Sequence, residues 1–133
     1  VFFCGPLSAE GLVKRLLESH VFVHPSHIDN SPNSVCEAML LGMPVIAANT
    51  GGVGSLLDHN EEGILYPDND QYLLASYLLE LNRDSNKAIS LGKKARLRAT
   101  KRHNPQEILN RLQEIYHCIV DKEKSKTTTL QVQ

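Results

Sequence analysis

Two carboxylates between His24 and Pro44 have the residue types and spacing of a ligand-binding pair. Asp29 lies in a polar loop, and Glu37 lies within the first turns of the helix that the following residues predict. The N-terminus of a helix offers unpaired N–H groups and a partial positive charge, which suit a phosphate. One carboxylate before this N-terminus and one just inside it suit a ligand with hydroxyl groups flanking a phosphate, such as a nucleotide sugar.

Short apolar runs on either side predict the strands that position this segment. Residues 21–24 predict a strand that leads into the loop. Residues 44–48 are almost all apolar, which predicts a strand covered on both faces. Strand, loop, helix and strand form a βαβ unit, and ligands of such units bind at the carboxyl ends of the strands.

The rest of the chain alternates strands and helices, which predicts an α/β fold with a parallel sheet and flanking helices. Two more strands are predicted at residues 1–4 and 63–66. The first helix has Leu12, Leu16 and Leu17 on one face. Helices are predicted at residues 8–19, 53–58, 70–82, 85–102 and 104–120. The last three are predicted to begin at the caps Asp70, Ser85 and Asn104, and Glu107 is predicted as the capping-box partner of Asn104.

The bulk composition favours one folded domain and excludes several classes of protein. The chain has 133 residues, 41% of them hydrophobic, and a net charge of −1, which gives no general attraction to nucleic acid. No apolar run approaches the roughly 20 residues that span a bilayer, and the first residues do not have the basic-then-apolar pattern of a signal peptide. Three cysteines without metal-type spacing predict reduced thiols and a cytoplasmic protein.

The central segment resembles the signature of the retaining family-4 glycosyltransferases of GT-B architecture. That signature is a Pro-Ser pair followed by two acidic residues separated by seven others. Here it reads Pro25-Ser26, then Asp29, then Glu37, and it continues through Gly42-Met43-Pro44. Residues 50–53 and 63–67 agree with the family in order and spacing, so the resemblance covers the chain to about residue 119.

The resemblance implies a Rossmann-like parallel sheet that forms the C-terminal part of a GT-B fold with its N-terminal strands missing. Residues 1–121 would be a partial nucleotide-sugar-binding domain, and the polar residues 122–133 a disordered tail. The missing N-terminal domain of the same protein would be its partner. In the strand order 3-2-1-4-5-6 the strand at residues 1–4 lacks its neighbours. We therefore expect rearranged pairing, strand exchange or a homodimer.

The resemblance also implies roles for individual residues. Asp29 would be the catalytic acid, positioning the transferred sugar or stabilising its developing cation, although the family usually has the longer glutamate there. Glu37 would bind the ribose hydroxyls. Pro32 removes one backbone donor where the family has glycine. The remaining substrate-binding residues would be Asn30, Ser31, Asn33, Ser34 and Val35 around the helix start, and Gly5, Pro6 and Leu7 beside the nucleobase.

Structural alternatives remain open for the same residues. Glu37 can be the capping-box partner of Ser34, or Ser31 can cap the helix with Pro32 at its first position. Asp29 can be an ordinary turn residue. The glycines that follow the third predicted strand lack the third glycine of a dinucleotide fingerprint, because Leu57 stands there; we interpret them as allowing close backbone approach at the cleft.

Three histidines and a group of basic residues are interpreted as structural. His20, His24 and His27 lack metal-ligand spacing, although His24 can line the cleft mouth. The basic residues predict a solvated helix face, with contact to anionic lipid as the alternative. These residues are Lys87, Lys93, Lys94, Arg96, Arg98, Lys101 and Arg102.

The function that the resemblance implies is transfer of a hexose from a nucleoside diphosphate sugar to an acceptor hydroxyl, with retention and without a metal or cofactor. Polysaccharide biosynthesis is the expected setting. The family's diphosphate-binding basic residues would lie before Val1, so we expect the isolated chain to be inactive and to bind the nucleotide sugar weakly. The alternatives are a GT-B-like sugar-nucleotide epimerase and, outside enzymes, a receiver-like signalling domain with Asp29 as phosphoacceptor.

Overall fold

The protein is described here by a computed structural model, in which the backbone of residues 2–130 and the side chains of residues 2–120 are described. These residues form two compact units that meet between Thr100 and Lys101. The first unit holds a parallel sheet of three strands in the order β1-β2-β3. They are β1 (Phe22–His24), β2 (Val45–Ala48) and β3 (Ile64–Tyr66). The predicted α/β fold is confirmed, with three of the four predicted strands.

Helices connect and flank these strands. The first unit contains α1 (Ala9–Leu17), α2 (Asn33–Leu40), a 3₁₀ helix (Val53–Ser55), α3 (Gln71–Arg83) and most of α4 (Ser85–Arg102). The second unit contains the end of α4 and the helix α5 (Pro105–Leu130). The segment at residues 53–58 is therefore a shorter helical turn than predicted.

The central strand β2 is buried on both faces, as its sequence predicts. All four of its residues are buried, and they alternate between two apolar clusters. Val45 and Ala47 pack with residues of α1 and α2, whereas Ile46 and Ala48 pack with residues of β3 and α3. The sheet is thus covered by helices on both faces, and α4 contributes to both clusters.

The predicted strand at residues 1–4 is not present in the described part. Residues 2–4 have no strand conformation, and both Phe2 and Phe3 are 95% exposed. A strand is stable only beside another strand, and the pairs of the described sheet are β1 with β2 and β2 with β3. No rearranged pairing of residues 2–4 is therefore seen, and Val1 lies outside the described residues.

Side-chain caps begin most of the helices where the sequence predicts them. The Ser8 hydroxyl accepts the Gly11 N–H at 3.2 Å, and the Asp70 carboxylate accepts the Leu73 N–H at 2.8 Å. In α4 the cap is Asp84 rather than Ser85, because the Asp84 carboxylate accepts the Lys87 N–H at 2.9 Å. Ser85 is the first helical residue instead.

Two predictions about helix faces and ends were wrong. Leu17 is 63% exposed, whereas Leu16 is buried, so the apolar face of α1 does not include Leu17. The backbone of α5 continues to Leu130 instead of ending near residue 120, and its last ten residues, with three lysines and three threonines, contain neither proline nor glycine to end the helix. The last part of the predicted tail, residues 131–133, lies outside the described residues.

The helix α5 begins at a side-chain cap. The Asn104 carboxamide oxygen accepts the Gln106 N–H at 2.9 Å, with Pro105 as the first helical residue, as predicted. Within residues 2–130, no helix is long and apolar enough to cross a bilayer.

The basic face of α4 is more than a solvated surface. Arg98 contacts the carboxylates of Asp58 at 2.6 Å and of Glu62 at 3.0 Å, and its side chain is partly buried. Lys94 pairs with Glu61 at 2.7 Å. These ion pairs attach α4 to the loop that follows the 3₁₀ helix, so the interpretation of this face as merely solvated was wrong for Arg98.

Candidate functional site

The loops that follow the three strands are joined to one another at the carboxyl edge of the sheet. Thr50, after β2, donates from its hydroxyl to the carbonyl oxygen of Ser26, after β1, at 3.0 Å. His27, after β1, pairs through Nδ1 with a carboxylate oxygen of Asp68, after β3, at 2.6 Å. This is the edge at which α/β proteins bind ligands, and the loop that contains Asp29 lies there.

Two glycines after β2 let the backbone pack directly against the acidic loop. A Cβ atom on Gly51, where φ is +50°, would lie 2.1 Å from the carbonyl oxygen of Asp29. A Cβ atom on Gly52 would lie 1.8 Å from the carbonyl oxygen of Asn30. These distances are too short for any side chain, which confirms the interpretation of the glycines as residues of close backbone approach.

The carboxylate of Asp29 is held within its own loop. One oxygen, Oδ1, accepts the backbone N–H of Ser31 at 3.1 Å, which is the turn chemistry that the sequence left open. The other oxygen, Oδ2, lies 3.4 Å from Nε2 of His24. The Asp29 side chain remains 29% exposed, so the turn role leaves it open to a ligand.

The N-terminus of α2 has no side-chain cap. Its N-cap residue is Pro32, which makes no capping hydrogen bond. The capping box of Ser34 with Glu37 and the alternative cap at Ser31 were therefore wrong, because the helix begins one residue after Pro32. The first N–H groups of an uncapped helix have no partner in the helix itself and are available to an anion.

The predicted residues of α2 divide between its two faces. Asn33, Ser34 and Glu37 are exposed, whereas the Val35 side chain is buried, so Val35 can reach a ligand only through its N–H group. Among the described residues, no hydrogen bond or ion pair engages the Glu37 carboxylate. Glu37 lines a cavity of about 250 Å³ together with Ala9 of α1.

The predicted nucleobase loop is exposed and lies directly before α1. Gly5 has φ +64°, which favours glycine, and no atom lies within 4 Å of the place of its Cβ. Pro6 and Leu7 are also exposed. In the described structure, no hydrogen bond joins this loop to Asp29 or Glu37, so its membership of the site remains a prediction.

The carboxyl end of β3 adds residues that the sequence did not single out. Burial raises the pKa of the Tyr66 phenol, and the negative charge of Asp68 raises it further. Nδ1 of His59 accepts the N–H of Leu65 at 3.1 Å. The pairing of His27 with Asp68 spans 41 residues, and neither residue forms part of a recognisable spacing, so only the fold reveals it.

A larger cavity of about 740 Å³ lies away from this edge. Val21 and Pro44, which line it, come just before β1 and β2, so the cavity opens at the amino edge of the sheet. Its walls are formed by apolar residues of α3 and α4, with His20 and Lys93 at its margin. It therefore has no part in the site described above.

Metal ligation is not indicated in the described part of the chain. Across residues 2–120, no three histidine, cysteine, aspartate or glutamate side chains are grouped so that they could hold a metal ion. His24 at the end of β1 and His27 in the loop after it each face a single aspartate, at 3.4 Å and 2.6 Å respectively.

The sequence matches a known family over most of its length. The family model described as glycosyl transferases group 1 matches residues 1–98, which include both acidic residues and all three strands. The chain belongs to the group 1 glycosyl transferases. This membership bears out the coarser part of the resemblance and does not favour a receiver-like signalling domain.

Group 1 relatives from bacteria are similar over about three quarters of the chain. The amylovoran biosynthesis glycosyltransferase AmsK of Erwinia amylovora is 30% identical over 110 residues, which cover 77% of this chain and 27% of that protein. The chain thus spans about a quarter of the length of such relatives.

Two solved structures share the fold over most of this chain. Sucrose-phosphate synthase of Thermosynechococcus elongatus superposes with a TM-score of 0.81 at 30% identity, covering 92% of this chain and 31% of that one. The HepE protein of Anabaena, solved with UDP-glucose, superposes with a TM-score of 0.72 at 24% identity, covering 79% and 29%. The fold is that of part of a GT-B glycosyltransferase.

Proposed function

We propose that this chain is the nucleotide-sugar-binding part of a retaining family-4 glycosyltransferase, which transfers a hexose from a nucleoside diphosphate sugar to an acceptor hydroxyl. The observation that carries the proposal is the uncapped N-terminus of α2, with Asp29 in the loop before it and Glu37 on its exposed face. This arrangement provides acceptors for sugar hydroxyls on either side of donors for a diphosphate.

The diphosphate would bind at the start of α2. The N–H groups of Asn33, Ser34 and Val35 precede the first intrahelical hydrogen bonds, and the helix dipole favours negative charge there. The side chains of Asn33 and Ser34 are exposed and add polar donors beside them. Pro32 contributes no N–H, so the side chains of Asn30 and Ser31 would take the place of backbone donors at the sugar.

The two acidic residues would bind different parts of the nucleotide sugar. Glu37 would accept from the ribose hydroxyls, because its carboxylate is exposed and engaged by no described residue. Asp29 would face the transferred sugar and stabilise the cation that develops as the diphosphate departs. Catalysis would then rest on positioning and on electrostatic stabilisation rather than on a protein nucleophile or a metal.

The nucleobase and the acceptor would bind outside the contacts described above. Gly5, Pro6 and Leu7 would contact the nucleobase through backbone groups, next to the start of α1. The acceptor would come from an N-terminal domain of the same protein. We propose a cytoplasmic enzyme of polysaccharide biosynthesis, the process named for the relative AmsK. An epimerase would use the same site without an acceptor, and the family match does not favour it.

The test is an NMR titration of the ¹⁵N-labelled chain with UDP-glucose and, separately, with UDP. We expect weak binding in which both ligands shift the amide signals of Asn33 to Val35, while UDP-glucose alone shifts those of Asp29 and Asn30. Glu37→Gln should weaken both ligands by roughly fivefold, because an amide replaces one charged acceptor.

A matched control separates binding from a general effect of charge. Glu114 is an exposed glutamate of α5, in the second unit, and Glu114→Gln should leave both titrations unchanged. The proposal is wrong if neither ligand shifts any amide between residues 29 and 37, or if the two glutamine variants behave alike.

A further inference from the structure

We propose that His24 is a positioning residue of this site, which holds the carboxylate of Asp29 through its Nε2 atom and so sets the affinity for the sugar part of the ligand. The inference rests on the proposed function, because it assigns a new role within the same site. His24 is the last residue of β1, five residues before Asp29.

The environment of the His24 ring has one feature that requires an explanation. Its Nε2 atom is buried and has no hydrogen-bond partner in the described structure. The carboxylate oxygen Oδ2 of Asp29 lies 3.4 Å away, and the His24 side chain is only 13% exposed. A buried nitrogen without a partner is costly, so a small movement that closes this distance to a charge-assisted hydrogen bond is favourable.

The two oxygens of Asp29 are then fixed from two directions. Oδ1 already accepts the Ser31 N–H at 3.1 Å, and Oδ2 faces His24. With both oxygens held, the carboxylate has one orientation, and its 29% exposed surface always presents the same edge to a ligand. A carboxylate that is already oriented loses less conformational entropy when a sugar hydroxyl binds.

His24 acts through Asp29 rather than on the ligand itself. Because its Nε2 atom is buried, a sugar hydroxyl cannot reach it without displacing the aspartate. The backbone of His24 is held by the sheet, since His24 pairs in register with Ala47 of β2. Side chains alternate along a strand, so His24 lies on the same face as Phe22, which packs against the cluster that contains residues of α1 and α2.

Three substitutions distinguish this role from ordinary packing. In His24→Gln the carboxamide nitrogen can take the place of Nε2, whereas His24→Asn is too short to do so and His24→Leu has no donor. The first readout needs no ligand: three-bond couplings that report the χ1 rotamer of Asp29. We expect one rotamer in the native chain and in His24→Gln, and averaged couplings in His24→Asn and His24→Leu.

The ligand-free result decides the positioning role by itself. The proposal is overturned if Asp29 keeps its single rotamer in both His24→Asn and His24→Leu. It is also overturned if the Asp29 couplings are averaged in His24→Gln as they are in the other two variants. If His24→Leu fails to fold, the comparison of Gln with Asn still decides, because both are polar. Far-UV circular dichroism and the midpoint of thermal unfolding identify such a failure.

Titrations with UDP-glucose and UDP give the second readout. We expect His24→Asn to lose about fivefold to tenfold in affinity for UDP-glucose and less than about twofold for UDP, with His24→Gln close to the native chain. Equal losses for both ligands would overturn the link to the sugar. If the native chain binds neither ligand, the proposed function fails, while the couplings still decide whether His24 positions Asp29.

Discussion

The N–H of Gly52 donates a hydrogen bond to the carbonyl oxygen of Asp29 at 3.1 Å, which joins the loop after β2 to the acidic loop after β1. The contact depends on the absence of a side chain, because a Cβ atom on Gly52 would lie 1.8 Å from the carbonyl oxygen of Asn30. The position of the candidate catalytic acid is therefore set partly by a glycine 23 residues further along the chain.

We expect Gly52→Ala to lower the free energy of unfolding by about 1–3 kcal/mol, because the two loops must move apart to admit the methyl group. Urea unfolding followed by circular dichroism measures the loss. Gly54→Ala is the matched control, since its methyl group would approach only the side chain of Asn49, at 3.1 Å. Equal losses in the two variants would contradict this account of the contact.

Asp29→Asn should reduce the affinity for UDP-glucose roughly tenfold and leave the affinity for UDP unchanged. The amide keeps the shape of the side chain but loses the charge that accepts from sugar hydroxyls. Asp29→Glu keeps the charge and adds one methylene, so its affinity for UDP-glucose should stay within about threefold of the native value. An NMR titration measures the affinities of all three chains. A lower affinity of Asp29→Asn for UDP would contradict the placement of Asp29 beside the sugar.

Arg98→Ala should lower the free energy of unfolding by about 1–2 kcal/mol. The Arg98 side chain is 29% exposed and contacts two carboxylates, and its loss leaves Asp58 and Glu62 close together without a cation. The hydrogen bond to Asp58 raises the pKa of Arg98 above its already high value, so the guanidinium stays charged throughout.

Lys94→Ala is the control for Arg98→Ala in the same urea experiment. Among the described side chains, Lys94 forms an ion pair with Glu61 alone, and both side chains are largely exposed, so its removal should cost less than about 0.5 kcal/mol. If the two variants lose the same free energy of unfolding, then the second carboxylate and the partial burial of Arg98 add no stability.

Stability should fall at high pH through Tyr66. Its pKa is raised in the folded chain by burial and then by Asp68, so the folded state holds the phenol proton more tightly than the unfolded state. The contribution of this group is complete below the unfolded pKa of about 10 and is lost as the pH rises through the folded pKa. In urea unfolding, the free energy of unfolding of Tyr66→Phe should equal that of the native chain at pH 8 and exceed it at pH 11. The same difference in free energy between the two chains at both pH values would contradict this.

Several elements of this protein follow from local sequence alone. Ser8 and Asp70 begin helices because short polar side chains cap the residues that follow them, and the apolar run of β2 is a buried strand in any parallel sheet. The order of Pro25, Ser26, Asp29 and Glu37 along the chain likewise predicts a candidate site. These features depend on neighbours within a few residues, which the sequence displays directly.

Contacts between distant parts of the chain were decided by the tertiary structure. Residues 2–4 have the composition of a strand, but they have no neighbouring strand to pair with in the described chain. Arg98 contacts Glu62, 36 residues away, and Gly52 contacts Asp29, 23 residues away, so no local sequence pattern predicts either contact. The Nε2 atom of His24 lies 3.4 Å from the Asp29 carboxylate because the strand register and the loop bring the two residues together, so the sequence predicts the acidic residue and only the fold shows the histidine beside it.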